Sequence, residues 1–248
     1  KLNHFSLKNL NFRFVVNFND GPENEATETR FCFARPRKSP HICIPDSHLG
    51  RTVSICDSLK SIDKPFEEKL DKASFFGSDT GRKYKDGSVQ RVNLCKRYKN
   101  SDKVIAKITN FVEQPFDVSI YHQPVSIKDQ LNYKYILNVN GNTTSWERLI
   151  WAMHSNSFCI FVKPPAHQDE ISWYYHIFDL SQYFLTLDEE SLENFLNWSE
   201  NWKSEIQFFK EHQKKIANTL AKPDFHAHYY AQVLMAYNKI YNESNKQS

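Results

Sequence analysis

The chain has 248 residues, of which 40% are hydrophobic and 25% charged, and it carries a formal net charge of +3. This is ordinary globular composition, long enough for one large or two small domains. The mild charge gives no argument for a nucleic-acid partner. Because no apolar run approaches the length of a bilayer span, the sequence also excludes a transmembrane helix.

The five cysteines are scattered, and no two of them form a C-x-x-C pair. This pattern favours a reducing compartment and argues against a structural zinc site. A bridge between Cys32 and Cys43 stays open. No secretory signal peptide is recognised at the N-terminus.

The first 72 residues predict short strands joined by polar loops. Residues 12–18 alternate and then run continuously apolar, which predicts a strand that ends at the turn of residues 19–22. Two more short strands are predicted at 30–33 and 41–44. Residues 57–72 are charged and are interpreted as a linker or a surface helix.

From residue 73 onward, apolar strands and amphipathic helices alternate. The predicted strands are 73–76, 104–111, 133–139 and 158–162, and the predicted helices between them are 89–98 and 145–153. From Asp188 the apolar residues follow helical spacing until Pro223 breaks the run, and a last helix follows. This order is typical of an α/β protein with buried parallel strands.

The stretch 133–153 is the most informative part of the chain, because a buried strand ends at Gly141 and feeds a helix. Such a turn leaves backbone N–H groups free at the start of the helix, where the positive end of the helix dipole adds to them. The residues Gly141, Asn142, Thr143, Thr144 and Ser145 are therefore candidates for binding a phosphate. An ordinary βα turn without a ligand is the alternative.

Two other strand ends carry polar residues that suit chemistry. Asp20 follows the first apolar strand, where a carboxylate can serve as a general base, or simply stabilise the turn. The second strand end, 76–82, offers Gly77, Ser78 and Thr80 to a phosphate. Arg82 and Arg91 are its candidate cationic partners, with a solvated arginine beside a glycine turn as the alternative.

No motif for a metal, a nucleophile or a P-loop stands out, and no D-x-D pair suggests a divalent cation. His226 and His228, near the start of the last predicted helix, are interpreted as surface residues. The predicted chemistry therefore rests on polar residues at strand ends, without a metal.

Several short motifs, in one order over residues 12–235, resemble glycosyltransferase family 90, the group of the capsule protein CAP10 and the Rumi-type protein O-glucosyltransferases. The segment 16–22 is similar to its N-x-x-D-x-P motif, Ile44-Pro45-Asp46 to a short x-P-D step, and 76–80 with Arg91 to F-x-G-S-x-T…R. The block 131–142 resembles L-x-Y-K-Y-L-x-x-x-D-G-N. Ser155-Asn156-Ser157 and Trp173 resemble a motif of bacterial members associated with lipopolysaccharide.

The sequence departs from the family pattern at several positions. Asn140 stands where an acidic residue is usual, and Asp79 where eukaryotic members often have arginine. No His-Tyr pair follows Trp173, and the arginine of the helix after Gly141 appears as Arg148, displaced by one position. These changes bear more on the identity of the substrate than on the class of reaction.

The resemblance implies a GT-B-like α/β fold: two Rossmann-like halves, a donor cleft between them and a C-terminal helix that crosses back. The expected units are residues 1–68 as an incomplete acceptor-side half, 69–222 as the nucleotide-sugar half and 223–248 as the returning helix. The implied activity is an inverting, metal-independent transfer from a UDP-sugar, glucose or xylose being expected. Asp20 would be the base, and Arg148 would join the donor residues named above.

The implied partners are a UDP-sugar donor and a saccharide or glycolipid acceptor, with no cofactor beyond the donor, no nucleic acid and a peripheral contact with a membrane. A bacterial cytoplasmic enzyme at the inner face of the membrane is expected, and the ER lumen is the alternative for a eukaryotic source. Three other hypotheses stay open: a protein O-glycosyltransferase that acts on serine, a non-catalytic relative that binds a glycan, and an unrelated nucleotide-binding module.

Overall fold

The computed structural model describes residues 14–17, 29–145, 147–165 and 170–244. Its strands are β1 Phe31–Cys32, β2 Ala34–Pro36, β3 Ile42–Cys43, β4 Leu70–Ser78, β5 Val104–Asn110, β6 Tyr133–Asn138, β7 Phe158–Val162, β8 Glu170–Ser172 and β9 Thr186–Leu187. Its helices are α1 Leu49–Ile62, α2 Gln90–Arg97, α3 Ile127–Gln130, α4 Glu147–His154, α5 Leu192–Trp198, α6 Lys203–Leu220 and α7 Pro223–Ser244.

A five-stranded sheet of order β5-β4-β6-β7-β9 forms the centre of the molecule, and every neighbouring pair in it is parallel. The register places Phe75 of β4 opposite Ala106 of β5, and Tyr135 of β6 opposite Phe158 of β7. The middle strands are continuous apolar runs because both faces of a parallel sheet are covered. The predicted α/β fold with a parallel sheet is confirmed.

Helices cover both faces of this sheet. Alternate strand residues, such as Leu137 and Ile160, pack in one buried cluster with α2 and α5. Their chain neighbours Ile136 and Cys159 point the other way and pack in a second cluster with α1, α4 and the end of α6. The period of two along each strand therefore supplies two separate cores from one sheet.

The N-terminal segment and the last helix pack against each other. Val16 pairs with Phe31 of β1, and β1 pairs with β3. The side chains of Tyr230 and Tyr237 on α7 pack on the apolar residues of these strands. The hydroxyl of Tyr230 donates to the carbonyl of Pro45 at 2.6 Å. The two-Rossmann arrangement and the division into units at 68/69 and 222/223 stay predictions.

The structure refines several predicted elements. The strand predicted at 73–76 extends over Leu70–Ser78, and the charged segment expected at 57–72 as a linker or helix contains the end of α1. The long helical run after Asp188 divides into α5 and α6 at a tight turn, Ser199–Trp202, and Pro223 begins α7 rather than only ending its predecessor. Proline suits that position because the first turn of a helix needs no N–H donor.

The interpretation of His226 as a surface residue is wrong. Its ring is buried against Trp173, with ring centroids 5.3 Å apart, and burial lowers the pKa of His226 to about 4. It is therefore a neutral core side chain at physiological pH. No helix of the described residues has the length and apolar character to cross a membrane.

Candidate functional site

The strand order creates one crevice where ligands collect in sheets of this type. The chain runs from β4 outward to β5 and then returns to β6 on the other side of β4. The connections after β4 and β6 therefore leave the sheet in opposite directions, and a crevice opens between the carboxyl ends of these two strands. The turns that follow β4 and β6 are the two that the sequence singles out as phosphate sites.

Residues from both turns and both following helices line a cavity of about 230 Å³ at this crevice. Nine of the eleven predicted donor residues lie there: Ser78, Thr80, Arg91, Gly141, Asn142, Thr143, Thr144, Ser145 and Arg148. They come from two stretches of the sequence, residues 78–91 and 141–148. The sheet topology brings them together.

Arg91 on α2 joins the two turns. Its Nη1 donates to the Ser78 hydroxyl at 3.3 Å and its Nη2 to the Val139 carbonyl at 3.1 Å. The Ser78 and Thr80 hydroxyls lie 2.7 Å apart beside it. The guanidinium is therefore fixed at the mouth of the crevice, with hydroxyl groups as its neighbours.

Two glycines allow the turns to approach this closely. Gly81 has φ +140°, and a Cβ there would lie 3.2 Å from the carbonyl oxygen of Asn140. A Cβ on Gly141 would lie 3.1 Å from Nη2 of Arg91. A side chain at either position would separate the turns or displace the guanidinium.

Arg148 on α4 supplies a second cation from the other side. One of its guanidinium nitrogens donates to the carbonyl of Phe76, and Nη1 donates to Oε1 of Gln130 at 3.2 Å. Burial lowers the pKa of Arg148 to about 10, so the group stays charged at neutral pH. The guanidinium carbons of Arg91 and Arg148 lie 5.6 and 5.4 Å from the centre of the same Phe75 ring.

The second turn is buried at residues 143–145, where its backbone N–H groups have no acceptor among the described residues. Thr143, Thr144 and Ser145 are all buried, and within the described part of the chain their amides donate no hydrogen bond. Buried N–H groups without an acceptor are costly, and α4 begins two residues later at Glu147. An anion at this point would accept those hydrogen bonds at the positive end of the helix dipole.

Side chains of β8 and of the segment after it hold the turn of residues 143–145 in place. The Thr144 and Ser172 hydroxyls hydrogen-bond to each other, and the Tyr174 hydroxyl donates to the Ser145 carbonyl at 3.1 Å. Burial raises the pKa of Tyr174 well above its usual value, so the phenol stays protonated and remains a donor. The segment after β8 therefore acts as a support for the turn that follows β6.

Two acidic residues have roles that the sequence analysis did not assign. Glu147 lines the cavity, and its carboxylate lies 3.3 Å from Nε of Arg51 on α1. Asp79 is fully buried and accepts backbone N–H bonds from Val112 at 2.7 Å, Glu113 at 3.0 Å and Gln114 at 2.5 Å. The position of Glu147 in the first turn of a helix was a signal for the first role, and nothing local indicated the second.

The other predicted site residues are not among the described residues that line this cavity. Gly77 is the strand residue before Ser78, and Arg82 forms an ion pair with Glu170 of β8. Asp20, the predicted base, lies outside the described residues. Asp46, in the predicted x-P-D step, is a buried carboxylate that accepts the N–H of His48 at 2.8 Å, and burial raises its pKa.

A larger and more open hollow, of about 1180 Å³, lies beside α2. Some of its polar side chains contact one another: Arg97 lies 3.7 Å from Glu190, and the Tyr84 hydroxyl donates to Glu189 at 2.5 Å. We place the candidate site in the smaller crevice, because two arginines line it together with residues 143–145, whose amides donate no hydrogen bond within the part of the chain that the structure describes.

Within the described segments, no group of three His, Cys, Asp or Glu side chains is placed to hold a metal ion. No family model matches the chain, and no curated protein matches it. The resemblance to glycosyltransferase family 90 therefore stays a prediction from the motifs.

Proposed function

We propose that the protein is an inverting glycosyltransferase that moves a sugar, with glucose or xylose expected, from a UDP-sugar to a hydroxyl of a saccharide acceptor. Lipopolysaccharide or capsule biosynthesis is the expected setting. The observation that carries the proposal is the crevice between β4 and β6, where Arg91, Arg148 and the amides of 143–145 surround one cavity. This donor set suits a diphosphate.

The proposed reaction uses a base on the acceptor and cations on the leaving group. The acceptor oxygen attacks the anomeric carbon, the bond from that carbon to the β-phosphate oxygen breaks, and UDP leaves. The acceptor proton goes to the carboxylate of Asp20. Arg91, Arg148 and the N-terminal end of α4 neutralise the charge that develops on the diphosphate, which is electrostatic stabilisation by groups fixed in advance.

The finer features of the fold belong to this proposal. A GT-B-like enzyme would complete the donor cleft with an N-terminal Rossmann-like half, and the contacts of α7 with β1 and β3 agree with a helix that crosses back. The proposed site is the inner face of a bacterial membrane, with a saccharide or glycolipid as the acceptor.

A non-catalytic, glycan-binding relative is the second candidate. It is favoured by Asn140, which stands at the crevice where the family has an acidic residue, and by the absence of the family's His-Tyr pair after Trp173. A protein O-glycosyltransferase that acts on serine differs from the main proposal only in its acceptor.

A release assay tests the proposal. The purified protein is incubated without metal with UDP-glucose, UDP-xylose, UDP-galactose and UDP-GlcNAc, with and without an acceptor saccharide extract, and UDP is measured. We expect acceptor-stimulated release from one of these donors that the Arg91→Ala variant has lost. Binding of UDP without any release would favour the non-catalytic relative, and neither binding nor release would overturn the proposal.

A further inference from the structure

The loop between β5 and His122 exposes apolar side chains beside the crevice. We call residues 111–121 the apolar loop. Val112, Phe116 and Val118 are 63%, 63% and 77% exposed in it. Isolated apolar side chains on a surface are normal, but three on one short loop form a patch of the kind that marks an interaction site.

The apolar loop is held firmly at both ends, although its tip is exposed. At its start, the Asp79 carboxylate accepts the N–H groups of Val112, Glu113 and Gln114. At its end, Ile108 of β5 donates to the Ile120 carbonyl and accepts from the N–H of His122, both at 2.9 Å. A chain anchored in this way presents its apolar side chains at low entropic cost.

The position of the apolar loop relates it to the crevice. Asp79 stands between Ser78 and Thr80, and both of these residues line the cavity. The apolar loop therefore leaves the same carboxyl edge of the sheet at which the crevice opens. Whatever the apolar loop binds will lie next to the opening of the site.

Two lysines contact the apolar loop. Lys83 lies 3.6 Å from Glu113, and Lys107 donates to the Ser119 carbonyl at 3.4 Å. Hydrogen bonds from Ser119 lower the pKa of Asp117, and the positive charges of Lys96 and Lys99 lower it further. Lys83 and Lys107 thus bring positive charge to an apolar loop that also carries the acids Glu113 and Asp117.

We propose that the apolar loop is a docking surface for an anionic lipid membrane, with Val112, Phe116 and Val118 entering the interface and the surrounding lysines contacting the headgroups. Apolar residues flanked by lysines bind such surfaces by combining burial of apolar area with attraction to anionic lipids. The inference goes beyond the proposed reaction, because it holds whether or not the crevice binds a UDP-sugar. Docking by this loop would bring the crevice to the membrane surface.

Vesicle flotation without any nucleotide tests the docking surface. Wild-type protein is mixed with vesicles of phosphatidylcholine and phosphatidylglycerol in equal parts, or of phosphatidylcholine alone. We expect flotation with the anionic vesicles and little with the neutral ones. The triple variant Val112→Ser, Phe116→Ser, Val118→Ser should lower the partition coefficient at least about 10-fold, because it removes the apolar area that enters the interface.

A matched control uses exposed aromatics elsewhere. Trp198 and Trp202 are 64% and 51% exposed around the turn before α6, next to Glu200, which pairs with Lys203 at 2.5 Å. The double variant Trp198→Ser, Trp202→Ser should float like wild type, and Lys96→Glu with Lys99→Glu should float about 10-fold less on anionic vesicles. Wild-type protein that does not float, a triple variant that floats like wild type, or a control that loses as much as the triple variant would overturn the inference.

Discussion

The two arginines of the crevice are held in fixed positions. Each guanidinium is held by a backbone carbonyl, Arg91 by Val139 and Arg148 by Phe76, and both lie against the ring of Phe75. Such prepositioned cations lose little entropy when a diphosphate binds.

Removing either arginine should weaken UDP binding more than it weakens the fold. We expect Arg91→Ala and Arg148→Ala each to cost about 1.5–3 kcal/mol of UDP binding, roughly 10- to 150-fold in Kd, because a charge-assisted contact is lost. Calorimetry with UDP measures this. Arg97→Ala on the same helix, whose partner is the exposed Glu190, is the control and should bind like wild type. If both crevice variants also bind like wild type, the diphosphate lies elsewhere.

Asp20 carries the prediction about the base. Asp20→Asn should leave UDP binding within a factor of about two of wild type, yet lower turnover by roughly 10²–10⁴-fold, the usual span for loss of a general base. The assay is UDP release with the donor identified in the screen. The exposed Asp57 on α1 offers a control, Asp57→Asn, that should turn over normally. Turnover of Asp20→Asn within a few-fold of wild type would remove Asp20 from the mechanism.

At the scale of elements, Asp79 connects the turn after β4 to the apolar loop. Its carboxylate accepts three consecutive backbone N–H groups from residues 112–114, which otherwise lie at the exposed start of that loop. A carboxylate that gathers several N–H donors stabilises a loop strongly, because each hydrogen bond is charge-assisted. The residue that departs from the family pattern at this position thus has a structural role of its own.

Asp79→Ala should loosen the apolar loop and leave the sheet intact. We expect the free energy of unfolding to fall by about 1.5–3 kcal/mol, since hydrogen bonds to a charged acceptor are lost. Urea denaturation measures the loss, and hydrogen exchange should become faster at the amides of Val112, Glu113 and Gln114. Asp117→Ala, which removes the exposed carboxylate beside Ser119, should change stability much less. Unchanged exchange at residues 112–114 in Asp79→Ala would contradict this role.

The elements of the central sheet could be predicted because their signals are local. Continuous apolar runs marked 133–139 and 158–162, and helical spacing marked 89–98, close to β6, β7 and α2 in the structure. The two-residue β9 and the β2–β8 pair were not predicted, because these short segments become strands only by pairing with partners that are distant in the sequence. The ion pair of Arg82 with Glu170 was missed for the same reason.

The candidate site, too, could be predicted only in the parts that have a local sequence signal. Turn chemistry predicted two separate candidate phosphate sites, one at Ser78 and Thr80 and the other at residues 141–145. Only the return of the chain from β5 across β4 to β6 shows that they face one crevice. The role of Asp79 depends on partners more than 30 residues away, so no local pattern contained it, and only the helix-start position of Glu147 gave a local signal.

At the scale of the whole molecule, the proposed enzyme should work without a divalent cation. Two arginines and the N-terminal end of α4 supply the positive charge that a metal would otherwise place on the diphosphate. We expect UDP release in excess EDTA to equal the rate without chelator, and Mg²⁺ or Mn²⁺ to add less than about two-fold. A rate abolished by chelator and restored by Mn²⁺ would contradict this expectation.

A crystal structure of the protein with UDP tests the central claim most directly. The account predicts the diphosphate between β4 and β6, with a phosphate oxygen about 2.7–3.2 Å from at least one amide of Thr143, Thr144 or Ser145 and with Arg91 or Arg148 at similar range. Soaking in the presence of EDTA keeps the result independent of any cation. UDP bound in the open hollow beside α2, or no UDP bound at saturating concentration, would contradict the assignment of the crevice as the donor site.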